Sequence, residues 1–391
     1  MTGTVDSTPR RSTPDMILLW TMLALVAAGI IMVFDSSFGQ SAIKGGTGIV
    51  FLKKQLIAGG VGFIGFFAIL KMGYSRLRSW ASALIILSIV MLVACYIKPI
   101  GVTLNGAHRW IGPGIQFQPS EFAKTALVLY LAALFASYIE KRRYDVTNFW
   151  DGLLLPLGVC SIVALLIERE PDLGTSIVVF LSSMTVFFMA GAKRRHIAVI
   201  VTVAGLCAMV LMMGNFRGGR IHNWIYPLDD PQGKGFQPTH ARLAVGTGSL
   251  TGVGFGKGRE KYYLPEQNTD FIFATIAEET GWVGSTVIIG LLLVVAWRAS
   301  VIAQRSKDIF GSLLAGGIGA IISWQALINI AVVTGCIPAT GVPLPFISFG
   351  GTSLAMLLVS CGILLSISNS AEPQTSKYDA LDPVRPRLRM D

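Results

Sequence analysis

The chain has 391 residues, of which 52% are hydrophobic and only 14% are charged, whereas a typical soluble domain carries about 25% charged residues. This composition excludes a soluble enzyme, because most of the chain must avoid water. The net charge of +10 does not indicate nucleic-acid binding, since the basic residues lie in small groups between apolar runs.

The apolar runs predict the fold class. A membrane-spanning helix needs about 20 mostly apolar residues, and ten runs reach or approach that length. We therefore predict an all-α integral membrane protein of about ten transmembrane helices, residues 16–369, between polar tails at 1–15 and 370–391 that we expect to be disordered. The ten runs are 16–34, 55–70, 79–97, 122–139, 152–167, 173–192, 197–216, 271–297, 309–333 and 346–369.

The basic residues indicate how these helices are oriented. Ten spans place both termini on one side of the membrane, and that side holds 18 of the 32 Lys and Arg residues. Loops that remain in the cytoplasm carry an excess of Lys and Arg. We therefore expect both termini to be cytoplasmic.

Charged side chains at membrane depth are the first candidates for function, because each costs about 2.5–3.5 kcal/mol at the centre of a helix. The fourth span opens with QPSEFAK, in which Glu121 and Lys124 are three residues apart and share a helix face. Ser120 is a candidate N-cap for this helix. Just upstream, in GAHRW, Arg109 and Trp110 suit the outer interface. A capped helix with a local ion pair and an aromatic anchor explains these residues equally well.

A second acidic group lies in REPDLGT, between the fifth and sixth spans. Glu170 and Asp172 stand where the sixth helix begins, and acids at that position interact favourably with the helix dipole. A capped hairpin turn is the simpler explanation of this motif.

The longest connection, residues 214–269, lies on the outer side and has 56 residues, a length that usually serves a function. Residues 237–245 are predicted to form a short interfacial helix. Glycines then alternate from 252 to 258, but no strand precedes them, which argues against a dinucleotide site. Their amides could instead approach a pyrophosphate, or the loop is simply solvated. The basic side chains expected near such an anion are Arg242, Lys257, Arg259 and Lys261.

The sequence LPEQNTDFIF leads into the eighth span. We expect Asp270 to be half-buried where a wet loop meets the outer leaflet, which would let it act as a general base. N-capping by Thr269 or Asp270 is the alternative. Glu278 lies about two turns deeper, Glu279 points to nearly the opposite helix face, and Lys124 is the candidate counter-charge for an acid on this span.

The segment PATGVPLPFISFGGT, residues 338–352, is rich in Pro and Gly between the ninth and tenth spans. Non-helical backbone at membrane depth must be buried in protein or line a cavity. We therefore expect this segment to form the wall of an outward-facing site.

Taken together and in this order, GAHRW with QPSEFAK, REPDLGT, LPEQNTDFIFATIAEETG and PATGVPLPFISFGGTS resemble the SEDS family of shape, elongation, division and sporulation proteins, whose branches include FtsW, RodA and SpoVE. The resemblance covers all ten spans. REPDLGT and GVGFGKGREKYYLPE are more similar to the FtsW branch than to the RodA branch. Two positions depart from the family pattern, which often has His where this chain has Asn268 and Tyr where it has Phe349.

The resemblance implies a ten-span fold with a large outer loop between helices 7 and 8, and peptidoglycan glycosyltransferase activity that polymerises lipid II at the outer face of the bacterial cytoplasmic (inner) membrane. It implies that Asp270 is the essential residue, with support from Glu121, Lys124, Arg109 and Asp172. The implied partners are a class B penicillin-binding protein, which is a transpeptidase, and other proteins of the division or elongation machinery.

On this basis we hypothesise that Asp270 deprotonates the 4-hydroxyl of the acceptor sugar, held ionised and oriented by Lys124. Glu278 is a further supporting candidate. Arg109 and the basic residues of the outer loop would offset the charge of the leaving pyrophosphate, and a divalent cation, Mg²⁺ or Mn²⁺, could assist them. The alternatives are a lipid II flippase, whose site would lie near the membrane midplane, and a non-catalytic scaffold that recruits the transpeptidase.

Overall fold

A computed structural model of the chain describes residues 14–44, 49–97, 100–104, 107–112, 116–142, 144–213, 218–226, 229, 235–264 and 267–370. Within these ranges the chain forms twelve α-helices and one two-stranded hairpin. The predicted tails fall almost entirely outside them. The helices are α1 Met16–Lys44, α2 Ile49–Met72, α3 Ser75–Ala94, α4 Pro119–Lys141, α5 Leu154–Arg169, α6 Leu173–Met189, α7 Arg194–Met213, α8 Gly218–Ile225, α9 Phe236–Thr247, α10 Ile272–Arg305, α11 Ile309–Val333 and α12 Gly351–Ser370.

The prediction of about ten spans is confirmed. Eight helices in the described part of the chain are long and apolar enough to cross a membrane: α1 to α4, α5 with the π-helical turn Phe149–Leu153 before it, and α10 to α12. The apolar 17-residue α6 and the 20-residue α7 bring the number to ten. In the outer loop, α9 confirms that residues 237–245 are helical, whereas α8 was not predicted.

The strand pair β1 Gly101–Leu104 and β2 Ala107–Ile111 is antiparallel and lies between α3 and α4. It contains the GAHRW motif, so the all-α prediction misses a small hairpin. Two strands of four and five residues are marginal alone, and hydropathy alone does not distinguish them from loop.

The tenth span begins at Gly351 and not at residue 346 as predicted. The cause is local, because Pro343 and Pro345 cannot donate backbone hydrogen bonds and Phe346 has φ +66°, which helical backbone excludes. Residues 338–350 are consequently non-helical.

Ion pairs at the two ends of α1 indicate where the two membrane boundaries lie. Asp15 accepts from Arg298 Nε at 2.8 Å, and Asp35 accepts from Lys261 Nζ at 2.8 Å. Asp15 immediately precedes α1 and Asp35 lies within it, 20 residues further along the chain. That separation corresponds to about 30 Å of helix, the thickness of a bilayer's hydrocarbon core. We define the outer end as the end that contains Asp35.

The helices pack through small residues, as expected where lipid and side chains are equally apolar. α2 and α12 make the most extensive contact, and a Cβ added to Gly62 of α2 would lie 2.8 Å from the Cα of Ala355. α4, α11 and α12 are the most buried spans. Polar side chains on these central helices therefore face protein rather than lipid.

Candidate active site

Asp270 lies at the outer end of the helix bundle, two residues before α10. The N-cap position of α10 is Phe271, so neither Thr269 nor Asp270 occupies it. Asp270 is half-buried, as predicted. Its Oδ2 atom is 3.4 Å from where a Cβ on Gly341 would stand, and Gly341 has φ +79°. The carboxylate is thus directly against the backbone of residues 338–352.

Backbone and side-chain hydrogen bonds join the segment before α10 to residues 342–350. The N–H of Phe349 donates to the carbonyl of Asn268 at 2.7 Å. Asn329 of α11 donates from Nδ2 to the carbonyls of Asp270 and Val342, both at 2.8 Å. The backbone of Asp270 is therefore held in place by α11 and by the Pro- and Gly-rich segment, which forms one wall beside the carboxylate.

Lys124 pairs with Glu121 and not with Asp270, which corrects the predicted counter-charge. Its Nζ donates to Glu121 Oε1 at 2.8 Å and to Gln325 Oε1 at 2.9 Å, and all three residues are buried. Gln325 in turn donates to the carbonyl of Pro343 at 3.0 Å. Lys124 therefore acts on the wall through Gln325. The predicted Ser120 N-cap is also wrong, because Gln118 occupies the N-cap position.

A small cavity lies beside this pair, between α4, α11 and α12, with room for about one water molecule. Its polar lining is Glu121, Lys124, Thr125 and Ser360.

The REPDLGT turn and the hairpin contact each other, and α6 reaches the wall that stands beside Asp270. Asp172 caps α6 by accepting from the N–H of Thr175 at 3.1 Å, so the turn interpretation is confirmed. Arg109 on β2 donates to the carbonyls of Glu170 and Pro171 and stands 3.9 Å from Asp172. A Cβ on Gly174 would be 2.7 Å from the carbonyl of Thr340, so α6 also contacts the wall.

Glu170 is fully buried. Among the described residues its carboxyl oxygens have no nitrogen or oxygen partner, although the Cys95 thiol is near enough to lower its pKa slightly. Burial first, and then the charge of Asp172, raise the pKa of Glu170 to about 8. Burial therefore favours the protonated, neutral form of Glu170.

Glu278 and Glu279 bind the glycine-rich loop. Glu279 accepts from the N–H groups of Gly256 and Gly258 at 3.0 and 3.1 Å. Glu278 accepts from the N–H of Arg259 at 2.7 Å. The alternating glycines therefore cradle an internal pair of carboxylates, and a Cβ on Gly258 would stand 2.9 Å from both. The predicted use of these amides for a pyrophosphate is wrong, and Glu278 is a loop anchor.

α10 is kinked beneath this loop, at Gly281, where φ is +66° and ψ is −159°. The kink frees helix hydrogen-bonding groups that must find other partners. The loop supplies them, since Trp282 N–H donates to the carbonyl of Ser249 at 3.0 Å and Val253 N–H donates to the carbonyl of Glu278 at 2.9 Å. Loop and kink thus stabilise each other.

The four basic residues proposed for a pyrophosphate do not act together. Lys261 is 2% exposed and bonds Asp35 and Glu279, so its assignment is wrong. Burial alone would lower the pKa of Lys261, but these bonds raise it above its usual value. Arg242 is half-buried and donates to the carbonyl of Trp224 at 3.0 Å. Lys257 and Arg259 are exposed and remain available to an anion.

Sequence reasoning missed Gln325 and Asn329, which connect the Lys124 pair and Asp270 to the same wall. The signal was present, because two amides four residues apart share a face of an otherwise apolar helix. In the part of the chain that the structure describes, no group of three or more His, Cys, Asp or Glu side chains is arranged to hold a metal ion. Any cation would need ligands from a substrate as well.

The comparisons with known proteins agree with this architecture. A family model described as "Cell cycle protein", covering FtsW, RodA and SpoVE, matches residues 16–373. Stage V sporulation protein E of Bacillus subtilis is 38% identical over 365 residues, 92% of this chain and 98% of that protein. The probable peptidoglycan glycosyltransferase FtsW of Trichlorobacter lovleyi is 37% identical over 361 residues, 90% of this chain and 93% of that protein.

Solved structures show the same fold. A chain of a peptidoglycan synthase complex that coordinates polymerization and crosslinking superposes with a TM-score of 0.75, at 26% identity, over 91% of this chain and 97% of that chain. The crystal structure of the rod shape determining protein RodA of Thermus thermophilus gives a TM-score of 0.68, at 27% identity, over 93% of this chain and 100% of that chain.

Proposed function

The chain belongs to the FtsW, RodA and SpoVE family of cell cycle proteins and is a peptidoglycan glycosyltransferase of cell division or cell shape, and from that premise we propose that it polymerises lipid II with Asp270 as the general base. The observation that carries this proposal is the position of Asp270. It is a half-buried carboxylate at the outer end of the bundle, with its backbone fixed by Asn329.

In the proposed reaction, Asp270 takes the proton of the acceptor's 4-hydroxyl as that oxygen bonds to the anomeric carbon of the donor's MurNAc. The bond from that carbon to undecaprenyl pyrophosphate breaks, and the centre inverts. General-base assistance of this kind contributes about 10²- to 10⁴-fold in rate. The immobilised backbone favours this role, because little ordering is left to occur during the reaction.

The pair of Lys124 and Glu121 has a positioning role in this account. Through Gln325, Lys124 fixes the carbonyl of Pro343, and hence the wall against which Asp270 stands. Asp172 and Arg109 fix the turn before α6, and α6 contacts the same wall at Thr340.

In this proposal the negative charge of the leaving pyrophosphate is neutralised by the exposed side chains of Lys257 and Arg259 and by a divalent cation. Mg²⁺ usually keeps several waters and binds through one or two carboxylates together with the substrate's phosphates. Mg²⁺ or Mn²⁺ carried by the pyrophosphate would therefore need few protein ligands. The divalent cation would neutralise negative charge on the leaving group.

A transporter is a weaker alternative than the sequence suggested. Acids near the midplane would favour a lipid II flippase, and Glu278 and Glu279 were the candidates. Both bind the outer loop instead, at the same end as Asp35. The observation that favoured transport is therefore lost.

The protein is a multi-pass membrane protein, and we place it in the bacterial inner membrane with both termini in the cytoplasm. The basic residues of the inner loops support that orientation. We assign a class B penicillin-binding protein as its partner, within the division or elongation machinery. The resemblance to a chain of a peptidoglycan synthase complex supports that assignment.

The test is reconstitution of the purified protein in liposomes with labelled lipid II, with and without a class B penicillin-binding protein. We expect long glycan strands, detected by electrophoresis. Movement of lipid II between leaflets without polymer would instead establish a flippase. If the complex with the penicillin-binding protein is intact but neither glycan polymer nor movement of lipid II is detected, the protein would be a non-catalytic scaffold.

A further inference from the structure

Asp270 sits at the middle of a closed loop. Lys261 precedes it by nine residues and Glu279 follows it by nine. Their side chains meet at 2.7 Å. This ion pair joins the start of the segment that carries Asp270 to the first turns of α10, so the distance between the ends of that segment is fixed.

The ion pair is part of a buried cluster that reaches a third element. Lys261 Nζ also donates to both carboxylate oxygens of Asp35, at 3.0 and 2.8 Å. The side chains are 2%, 10% and 0% exposed for Lys261, Asp35 and Glu279. Screening by water and salt is weak at such burial, so the contacts hold their geometry. We name these three residues the outer clamp.

Glu279 has its remaining acceptors satisfied as well. Gly256 and Gly258 donate their N–H groups to the two oxygens of Glu279, so the carboxylate has partners on every side. A buried charge with complete partners has one favoured position, whereas a half-satisfied one does not. The outer clamp is therefore a rigid base for both ends of the segment.

We propose that Asp35, Lys261 and Glu279 are positioning residues for the glycosyl transfer, which hold Asp270 at the depth and orientation the reaction needs. The proposal rests on the proposed function of Asp270. The outer clamp touches neither substrate, and it acts by tying residues 261–279 to α1. A displacement of about 1 Å at a reacting group can cost about 10²-fold in rate.

The chain contains a matched control on the same two helices. Asp15 and Arg298 form an ion pair at the opposite end of α1 and α10, about 30 Å from the outer clamp. Replacing Lys261 or Arg298 by Met removes one cation that pairs with an aspartate at an end of α1. The side chains of these two cations are 2% and 14% exposed, respectively. If the outer clamp only stabilises the fold, the two substitutions should have equal effects on activity per folded molecule. If it positions Asp270, Lys261→Met should lower activity more than Arg298→Met.

The experiment compares Lys261→Met, Arg298→Met and Asp270→Asn with the wild type as full-length protein in complex with its transpeptidase. The kcat and KM for lipid II are measured per folded molecule, with the folded fraction taken from thermal unfolding. We expect Lys261→Met to lower kcat at least tenfold with KM within twofold, and Arg298→Met to keep kcat within twofold.

The proposal is overturned if Lys261→Met retains kcat, changes KM alone, or loses no more kcat per folded molecule than Arg298→Met. If Lys261→Met does not fold, Asp35→Asn and Asp15→Asn replace the pair, with a threefold loss of kcat expected for Asp35→Asn alone. An active Asp270→Asn would refute the proposed function itself, whereas an inactive Asp270→Asn with an active Lys261→Met refutes only the outer clamp.

Discussion

Replacing Glu170 with Gln should remove a pH-dependent loss of stability. The pKa of this buried acid is raised from 4.5 to about 8. An acid whose pKa is raised by folding binds more protons in the folded state than in the unfolded state between those two values. Its contribution to the free energy of unfolding is therefore highest below about pH 4.5 and falls as the pH rises to about 8.

The magnitude follows from the size of the shift. One pKa unit corresponds to about 1.4 kcal/mol, so between pH 5 and pH 8 the wild type should lose about 3–4 kcal/mol of unfolding free energy through Glu170. Gln has nearly the same shape and does not titrate. The new amide is itself buried and costs about 1–3 kcal/mol if unpaired, so the net gain at pH 8 is smaller than the difference in pH dependence.

The assay is thermal unfolding in one detergent at pH 5, 6.5 and 8, followed by intrinsic fluorescence. We expect the Tm of the wild type to fall over this range more steeply than the Tm of Glu170→Gln. Glu168→Gln, at the partly exposed acid two residues earlier, serves as the control for loss of a carboxylate from this region. Equal slopes for Glu170→Gln and the wild type would refute the claim that burial keeps Glu170 protonated.

Two further substitutions test the wall beside Asp270. Gly341 has φ +79°, and a Cβ there would stand 3.4 Å from Asp270 Oδ2. Because Ala is strained at that φ, Gly341→Ala should shift the backbone beside Asp270 and lower kcat about tenfold or more in a folded protein. Gly246→Ala, whose Cβ meets open space, should leave kcat unchanged, and equal activities would contradict the role of this backbone in placing Asp270. Gln325→Leu removes the hydrogen bonds to Lys124 and Pro343 and should lower the free energy of unfolding by about 1–3 kcal/mol. The measurement is denaturation, with Leu327→Ala, an exposed position on the same helix, as the control. An unchanged free energy of unfolding for Gln325→Leu would contradict the proposed link between Lys124 and the wall.

The helices and their order were predictable from the sequence because each span is a local property of its residues. The bounds of α11 match the predicted run of 309–333, and the pair of Glu121 and Lys124 forms within one helix, as spacing alone requires. Asp270 was placed correctly for the same reason, since it stands where a polar segment meets an apolar one.

Partners between distant segments were not predictable in this way. Gln325 contacts Lys124 across 201 residues, and hydropathy does not say which helices pack together. The prediction that the glycine-rich loop binds a pyrophosphate failed for a related reason. Alternating glycines indicate a ring of backbone amides but do not say which anion occupies it. That anion is the carboxylate pair of Glu278 and Glu279, only about twenty residues further along the chain.

The most direct test of the account is the kcat of Asp270→Asn for lipid II polymerisation in the reconstituted complex. Asp229→Asn, an exposed acid of the same outer loop, serves as the control for loss of a negative charge. We predict that Asp270→Asn lowers kcat by about 10²- to 10⁴-fold without loss of folding or of lipid II binding, and that Asp229→Asn does not. An Asp270→Asn protein that polymerises lipid II within a few fold of the wild-type rate would contradict the central role of this carboxylate.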